Sequence, residues 1–295
     1  MNTAMKILVT GGCGFIGSHL VDELILQGHD IVNVDDCSAN NEKFYFNNKA
    51  KNYKFSVTDT EQLLEVSKDC NFVFHLAAES RLQQATKNPK RAIEVNIGGT
   101  LSVLNCCKIH NMGMVFSSTS SVYGSVQNLP ILESYPEQCM NPYASTKYAA
   151  ELLVRNYNEL YGIKSVILRY TNVFGERAPA FGQYALVTNI FLTQKKEGLP
   201  LSVVGDGTQK RDFVYVKDVV SANIECMNHI NDINHDVFNV SSGTEISIID
   251  VAKKISDNIV FIDNRPGEVS NNLCSNIKLQ SKIGWSPKTF LENYL

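Results

Sequence analysis

The chain has 295 residues, 44% of them hydrophobic and 19% charged, with 27 Lys plus Arg against 30 Asp plus Glu for a net charge of −3. This composition excludes a disordered or collagen-like polymer, and its slight acidity excludes attraction to a nucleic-acid backbone by bulk charge. No apolar run approaches the roughly 20 residues that cross a bilayer. The stretch from Met1 to Val9 has only Ile7-Leu8-Val9 as an apolar core, so a cytoplasmic, mature chain with no membrane or nucleic-acid partner is expected. The eight cysteines, Cys13, Cys37, Cys70, Cys106, Cys107, Cys139, Cys226 and Cys274, include no Cys-x-x-Cys and no His pair at zinc spacing. Free thiols and no metal site are expected.

Short apolar runs alternate with helix-period stretches, the βαβ signature of a parallel sheet covered on both faces. Strands are expected at Lys6 to Thr10, Asp30 to Val34, Tyr53 to Val57, Phe72 to Leu76, Met114 to Ser118 and Ser165 to Tyr170. Helices are expected at Phe15 to Gln27, Glu61 to Lys68, Ala92 to His110 and Ser145 to Tyr161, with Gly28 and Gly162 placed to end two of them in a left-handed turn. After Tyr170 the rhythm loosens into a loop over 171–183, a tight turn at Gly205-Asp206-Gly207, a helix from Val219 to His229, a buried strand from Val237 to Val240, and short pieces to Leu295. The fold class is α/β. It comprises a doubly wound parallel sheet of the Rossmann kind over 1–173, rejoined by about 214–240, and a smaller, discontinuous C-terminal α/β lobe from 174–213 and 241–295, with a cleft between them.

Thr10-Gly11-Gly12-Cys13-Gly14-Phe15-Ile16-Gly17 follows the first strand and opens the first helix. Backbone N–H groups and the positive helix end would face an anion there, a side chain at Gly14 would obstruct its approach, and Gly17 would let helix and sheet pack closely. Taken alone, the glycines also fit a tight turn with no ligand. Asp35 argues against that: it ends the second strand, 18 residues after Gly17 (35 minus 17), where a carboxylate can accept both ribose hydroxyls of an adenosine. With Asp36 beside it and no Arg or Lys before Lys43, a 2′-phosphate would be repelled, so NAD is expected rather than NADP. Asp59, after the third strand, is a further candidate for the adenine edge.

Tyr143 and Lys147 stand four residues apart and share one helix face. A free tyrosine is only about 0.1% phenolate at neutral pH. A Lys ammonium one turn away, together with the positive ring of NAD⁺, would favour the phenolate and lower its pKa. Thr119, at the end of the serine-rich fifth strand, would hydrogen-bond the same substrate hydroxyl.

These segments, with His75-Leu76-Ala77-Ala78, Asn96-Ile97-Gly98-Gly99-Thr100, Arg169-Tyr170-Thr171-Asn172-Val173-Phe174-Gly175, Gly205-Asp206-Gly207 through Arg211-Asp212-Phe213, and Arg265-Pro266-Gly267-Glu268, cover nearly the whole chain. On them the sequence resembles the extended short-chain dehydrogenase/reductase family, in its nucleotide-sugar epimerase and dehydratase branch. The resemblance implies a catalytic set of Thr119, Tyr143 and Lys147. It places NAD on Gly11, Gly14, Phe15, Ile16, Gly17, Asp35, Asp59, Leu76, Ala77, Ala78 and Asn96 as well as on Tyr143 and Lys147. It places a nucleotide sugar, most simply a UDP-sugar, on Ser80, Thr119, Tyr143, Asn172, Arg211, Arg265 and Asn272. Two guanidinium groups suit a diphosphate, since each offers planar, multi-donor recognition. The implied reaction is 4-epimerisation: oxidation at C4 to a 4-keto sugar, rotation of the bound ketone, and return of hydride to its other face.

Relatives that act as 4,6-dehydratases carry an acidic pair after the threonine, and decarboxylases commonly carry a glutamate at the second position; here those positions are Ser120 and Ser121. A non-catalytic NAD-sensing protein on the same fold predicts a damaged Tyr/Lys pair, whereas both residues are present. The position beside the sugar's 2-substituent falls on Asn272, of intermediate size, which leans towards acceptance of an N-acetyl group. Glu79-Ser80-Arg81-Leu82 is more charged than the matching run in relatives, and the chain stops somewhat short for the family. Helices at Ala92 to His110 and Ser145 to Tyr161 match those that pair relatives into homodimers.

Overall fold

The structure, a computed structural model, describes residues 4–39, 44–179, 186–263 and 272–295. The strands are β1 Lys6–Thr10, β2 Asp30–Val34, β3 Lys51–Tyr53, β4 Phe72–His75, β5 Gly113–Thr119, β6 Ser165–Tyr170, β7 Asn172–Phe174, β8 Leu201–Val204, β9 Lys210–Arg211, β10 Phe213–Tyr215, β11 Val237–Val240, β12 Ile246–Ser247 and β13 Ile259–Ile262. The helices are α1 Phe15–Leu26, α2 Thr60–Val66, α3 Leu82–Lys87, α4 Pro89–Ala92, α5 Thr100–His110, α6 Pro142–Tyr161, α7 Val187–Lys196, α8 Val216–Asn228, α9 Ile248–Ile255, α10 Ile277–Ile283 and α11 Leu291–Tyr294. Among the described residues no helix is long and apolar enough to cross a membrane.

Seven of these strands form one sheet in the order β11-β6-β5-β4-β1-β2-β3, with every neighbouring pair parallel. Both faces are buried. Ile7 and Val9 of β1 pack with Leu20 and Leu24 of α1 and Val219 of α8, whereas Leu8 between them packs with Val103 and Leu104 of α5 and Val154 of α6. A strand covered on both sides must be apolar at every position, which is why these runs show no alternation. Strand order reverses between β1 and β4. The loops leaving those two strands therefore diverge and open a crevice at the carboxyl edge of the sheet.

Several elements differ from expectation for identifiable reasons. The third strand is Lys51–Tyr53 rather than Tyr53 to Val57: the ladder with β2 ends where Asp35 N–H donates to Tyr53 O at 3.1 Å, and Phe55 and Val57 instead pack into the core as loop residues. The helix expected from Ala92 to His110 is α4, capped by Asn88 and opened by Pro89, then a π-helical stretch Ile93–Gly99, then α5. A Cβ at Gly99 would stand 2.6 Å from Val57 Cγ2, so this wide turn lies hard against the loop after β3. Helix α6 starts at Pro142, before Ser145, because Asn141 Oδ1 accepts from Ala144 N–H at 2.9 Å. Helix α8 begins three residues before the expected Val219, and the expected loop over 171–183 contains β7.

Away from the large sheet the strands pair in twos: β7 with β10 and β8 with β13 in parallel, β9 with β12 antiparallel. Asp212, fully buried between β9 and β10, ties this region together. Its carboxylate accepts from Ser242 N–H and Oγ–H at 2.8 Å each, from Thr171 Oγ–H at 3.3 Å and from Cys274 N–H at 3.4 Å.

A Cβ at Gly17 would run into the backbone carbonyl of Gly11, where no rotamer change relieves the clash. Gly17→Ala should therefore cost about 1–3 kcal/mol in urea unfolding; an unchanged midpoint would contradict this close packing of helix and turn.

Candidate active site

The carboxyl ends of β1, β2, β4, β5 and β6 open on a cleft of about 490 Å³. Gly11, Gly14, Phe15, Ile16 and Gly17 line one end of it. Among the described residues no side chain caps the first N–H groups of α1 and its first turn holds no acid, so its positive end stays open to an anion. Gly11 has φ +78°, and a Cβ there would stand 2.7 Å from Ala77 N; at Gly14 the atom nearest a Cβ is Gly11 O, at 3.3 Å, and the remaining space is cleft. These backbone positions fit a dinucleotide pyrophosphate.

Asp35 lines the next stretch of wall. Its Oδ2 accepts from Cys13 N–H at 2.9 Å and its Oδ1 from Cys37 N–H at 2.8 Å. Burial raises its pKa, while the two N–H groups pull it back down. Sequence reasoning missed what stands beside it: Arg91, from α4, donates to Asp36 Oδ2 at 3.4 Å and to Glu79 Oε2 at 3.3 Å. A cation thus stands in this wall, held between two carboxylates, and 55 residues of separation (91 minus 36) left no local signal for it.

Leu76, Ala77, Ala78 and the exposed Ser80 line the cleft after β4. His75, fully buried just before them, fixes that wall. Thr100 donates its hydroxyl proton to Asn96 O at 2.6 Å, so His75 Nε2–H donates to Thr100 Oγ1 at 3.0 Å and Nδ1 accepts from Thr10 at 2.6 Å. Burial, reinforced by the charge of Lys147, lowers the His75 pKa to about 3, so the ring is neutral. Asn96 lies behind the wall, not on it: its Oδ1 accepts from Glu79 N–H at 2.7 Å and its Nδ2 donates to Thr146 at 2.9 Å.

At the centre, Thr119, Tyr143 and Lys147 come together with Ser120 and Ser121. Thr119 ends β5, and its Oγ1 accepts from Ser121 N–H at 3.1 Å. Tyr143 is half-buried, while Lys147 is 2% exposed with its ammonium 4.1 Å above the Phe116 ring. Burial lowers the Lys147 pKa to about 7, and Glu151 one turn further on raises it. The phenol differs from expectation. Within the chain's own surroundings burial pushes Tyr143 up to about 12, and the hydroxyl of Thr119, not Lys147, pulls it down. Desolvation outweighs the lysine here, partly because the same burial disfavours the lysine's own charge.

Asn172 and Asn272 complete the far wall. Asn172 Nδ2 donates to Asp212 O at 3.0 Å, and Asn272 Nδ2 donates to Ser120 Oγ at 3.2 Å. Two expected ligands stand elsewhere. Asp59 caps α2 by accepting from Gln62 N–H at 3.1 Å, and Arg211 lies on β9 with Nη1 donating to Lys210 O at 2.9 Å; neither lines the cleft. Arg265 lies outside the described residues.

Residues 7–241 match the model of the NAD dependent epimerase/dehydratase family. A UDP-glucose 4-epimerase of Lactobacillus helveticus is 31% identical over 96% of this chain and 92% of its own. Among solved structures, UDP-glucose 4-epimerase from Thermotoga maritima with UDP-glucose superposes with a TM-score of 0.93 at 34% identity, covering 98% of this chain and 96% of that one. UDP-N-acetylglucosamine 4-epimerase from Methanobrevibacter ruminantium, in complex with UDP-N-acetylmuramic acid, gives 0.89 at 34%, covering 97% and 94%. With an uncapped helix end, the Asp35 carboxylate and a Tyr/Lys pair in one cleft, this chain belongs to the NAD-dependent epimerase/dehydratase family of extended short-chain dehydrogenases/reductases.

Proposed function

We propose that the chain is an NAD-dependent 4-epimerase of a UDP-hexose or UDP-N-acetylhexosamine. The observation that carries this reading is the meeting of Tyr143, Thr119 and Lys147 in the cleft that also holds the glycine turn and Asp35. When bound, NAD supplies a two-electron oxidant for the sugar's C4 alcohol that is regenerated before the product leaves. The Tyr143 phenolic oxygen takes the 4-hydroxyl proton and later gives one back, and the Thr119 hydroxyl orients that alcohol. The Thr119 hydroxyl also draws the phenol towards its charged form, and Lys147, one turn along the same helix face, brings a cationic group into that shielded site.

Ser120 and Ser121 support epimerisation over dehydration or decarboxylation, since neither is an acid that would remove water or assist loss of a carboxyl group. Asn272, tied to Ser120 in the described wall, supports acceptance of an N-acetyl group, as does the likeness to an enzyme named for UDP-N-acetylglucosamine. Leu186 and Asn272 bring the segments 174–213 and 241–295 into the wall, which supports assigning the sugar nucleotide to them and NAD to 1–173. Leu101 on α5 and Leu152 on α6 stay exposed, which supports pairing of two copies through those helices.

Tyr143→Phe should abolish turnover, with a fall of at least about 10³-fold from the lost acid/base, while binding of UDP-glucose by calorimetry stays within a few-fold; normal turnover would refute the role. Comparing UDP-glucose with UDP-N-acetylglucosamine, with products separated by stereochemistry, should give epimerisation of both, and strict exclusion of the acetylated sugar would remove Asn272 from its role. Lys147 carries a cost that its function explains. Its folded pKa, about 7, lies below the ordinary 10.5, so the unfolded chain binds the extra proton between those values, and stability rises with pH across that window. Lys147→Met should therefore be inactive yet more stable at pH 7, by at most about 5 kcal/mol, with the gain vanishing as pH approaches 10.5; thermal or urea unfolding at pH 7 and 10 measures it.

A further inference from the structure

We propose that Cys13, Asp35 and Cys37 form a binding site for a thiophilic cation, with Zn²⁺ as the representative ion, and that this cation and NAD exclude each other. The exclusion rests on the reading that Asp35 holds the cofactor's ribose; the site itself does not.

The two cysteines are 24 residues apart (37 minus 13), and nothing in their spacing marks a metal site. The fold brings them together. Gly11 N–H donates to Val34 O at 2.8 Å, pinning the turn after β1 against the end of β2, and the Asp35 carboxylate then bridges the backbone N–H groups of both cysteines at 2.9 and 2.8 Å. Cys37 is held at φ 56° by that contact, a left-handed conformation that a cysteine rarely adopts unsupported. One ligand atom from each residue, two sulfurs and a carboxylate oxygen, lies within 4.8 Å of the others, and both cysteines are free thiols.

Tetrahedral zinc, with bonds of about 2.3 Å to sulfur and 2.0–2.2 Å to oxygen, sets its ligands about 3.5–3.8 Å apart. Shifts of about 1 Å bring atoms within 4.8 Å of one another to these separations. Two thiolates and one carboxylate select zinc or copper(I) over magnesium or calcium, which prefer all-oxygen sets. Asn33 Nδ2 donates to Cys13 Sγ at 3.3 Å and to Asn52 Oδ1 at 2.8 Å, a second layer that orients the sulfur. The fourth position is left to water or to a small ligand from the cleft that Asp35 lines. A cation drawing on the Asp35 carboxylate removes the acceptor that a ribose needs, so each ligand weakens the other by the same factor.

The test titrates Zn²⁺ into the reduced protein, with and without saturating NAD⁺, and counts metal retained after gel filtration for the wild type and for Cys13→Ser, Cys37→Ser and Cys139→Ser. The expected result is one zinc per chain in the wild type and in Cys139→Ser, at least tenfold weaker binding in Cys13→Ser and Cys37→Ser, and at least tenfold weaker wild-type binding with NAD⁺. Equal retention in all four proteins, or none in the wild type, overturns the site. Zinc that needs both cysteines but ignores NAD⁺ upholds the site and overturns the ribose placement at Asp35. Co²⁺ added to the wild type supplies a readout independent of any variant's folding: a thiolate-to-cobalt charge-transfer band is expected, and its absence also overturns the proposal.

Discussion

A lysine ammonium shut away from water at the base of the cleft constrains everything around it. Lys147 is 2% exposed, and its charge is tolerated because the neighbourhood is arranged around it. Phe116 turns the face of its ring to the ammonium. His75, whose pKa burial lowers to about 3, stays neutral beside it. Glu151 supplies the opposite charge from the next turn of α6, and it is itself fully buried. That carboxylate needs its own partners, and finds them in Arg169, at 3.0 and 2.6 Å, and in Ser118, at 2.5 Å. Tyr143, Lys147, Glu151 and Arg155 thus stand at four-residue steps along one helix face, a series running from the cleft to the half-exposed Arg155. Buried ion pairs of this kind rarely add net stability, and loss of one member leaves its partner uncompensated. Their function here is to keep a charge where water would otherwise screen it.

The same constraint explains why the sheet carries the site. A charge held at low dielectric makes every misplaced neighbour costly, so the groups around it must be fixed precisely, and strand ends buried on both faces help to fix them. Thr119 ends β5, His75 ends β4 and Thr10 ends β1, so the hydroxyl at the centre of the cleft and the wall behind it hang from one rigid edge, against which α6 sets Tyr143 and Lys147.

Legibility in the sequence followed the range of the interactions. β1, β2, β6 and β11 match their expected bounds to the residue, because strands covered on both faces read as mainly apolar runs without alternation. The glycine turn and the Tyr143/Lys147 step were also legible, since each is local. The third strand was not: Phe55 and Val57 are apolar because they pack under α2 and α5, not because they pair with β2. The π-helical stretch at Ile93–Gly99 was hidden because Asn96 and Gly99 answer to Glu79 and Val57, far away in the chain. Arg91 against Asp36, and Cys13 against Cys37, were invisible for the same reason. Such contacts have no period, and only the fold brings them together.

Asp212 organises the far wall of the cleft from behind it. Next to it in the chain, Arg211 lies on β9 outside the cleft lining. Asp212 gathers Thr171, Ser242 and Cys274 around one carboxylate, while its backbone N–H takes Asn272 O at 3.1 Å and its carbonyl accepts both from Asn172 N–H and from the Asn172 side chain. The two asparagines that line the substrate end of the cleft are therefore spaced by a single residue that never reaches the cleft. Burial still outweighs those hydrogen bonds and raises the Asp212 pKa to about 6, so above that pH the native state carries a charged group it would hold more easily if neutral. A carboxylate kept at that cost, with acceptors aimed at three separate segments, is better explained by the register it imposes on Asn172 and Asn272 than by any stability it adds.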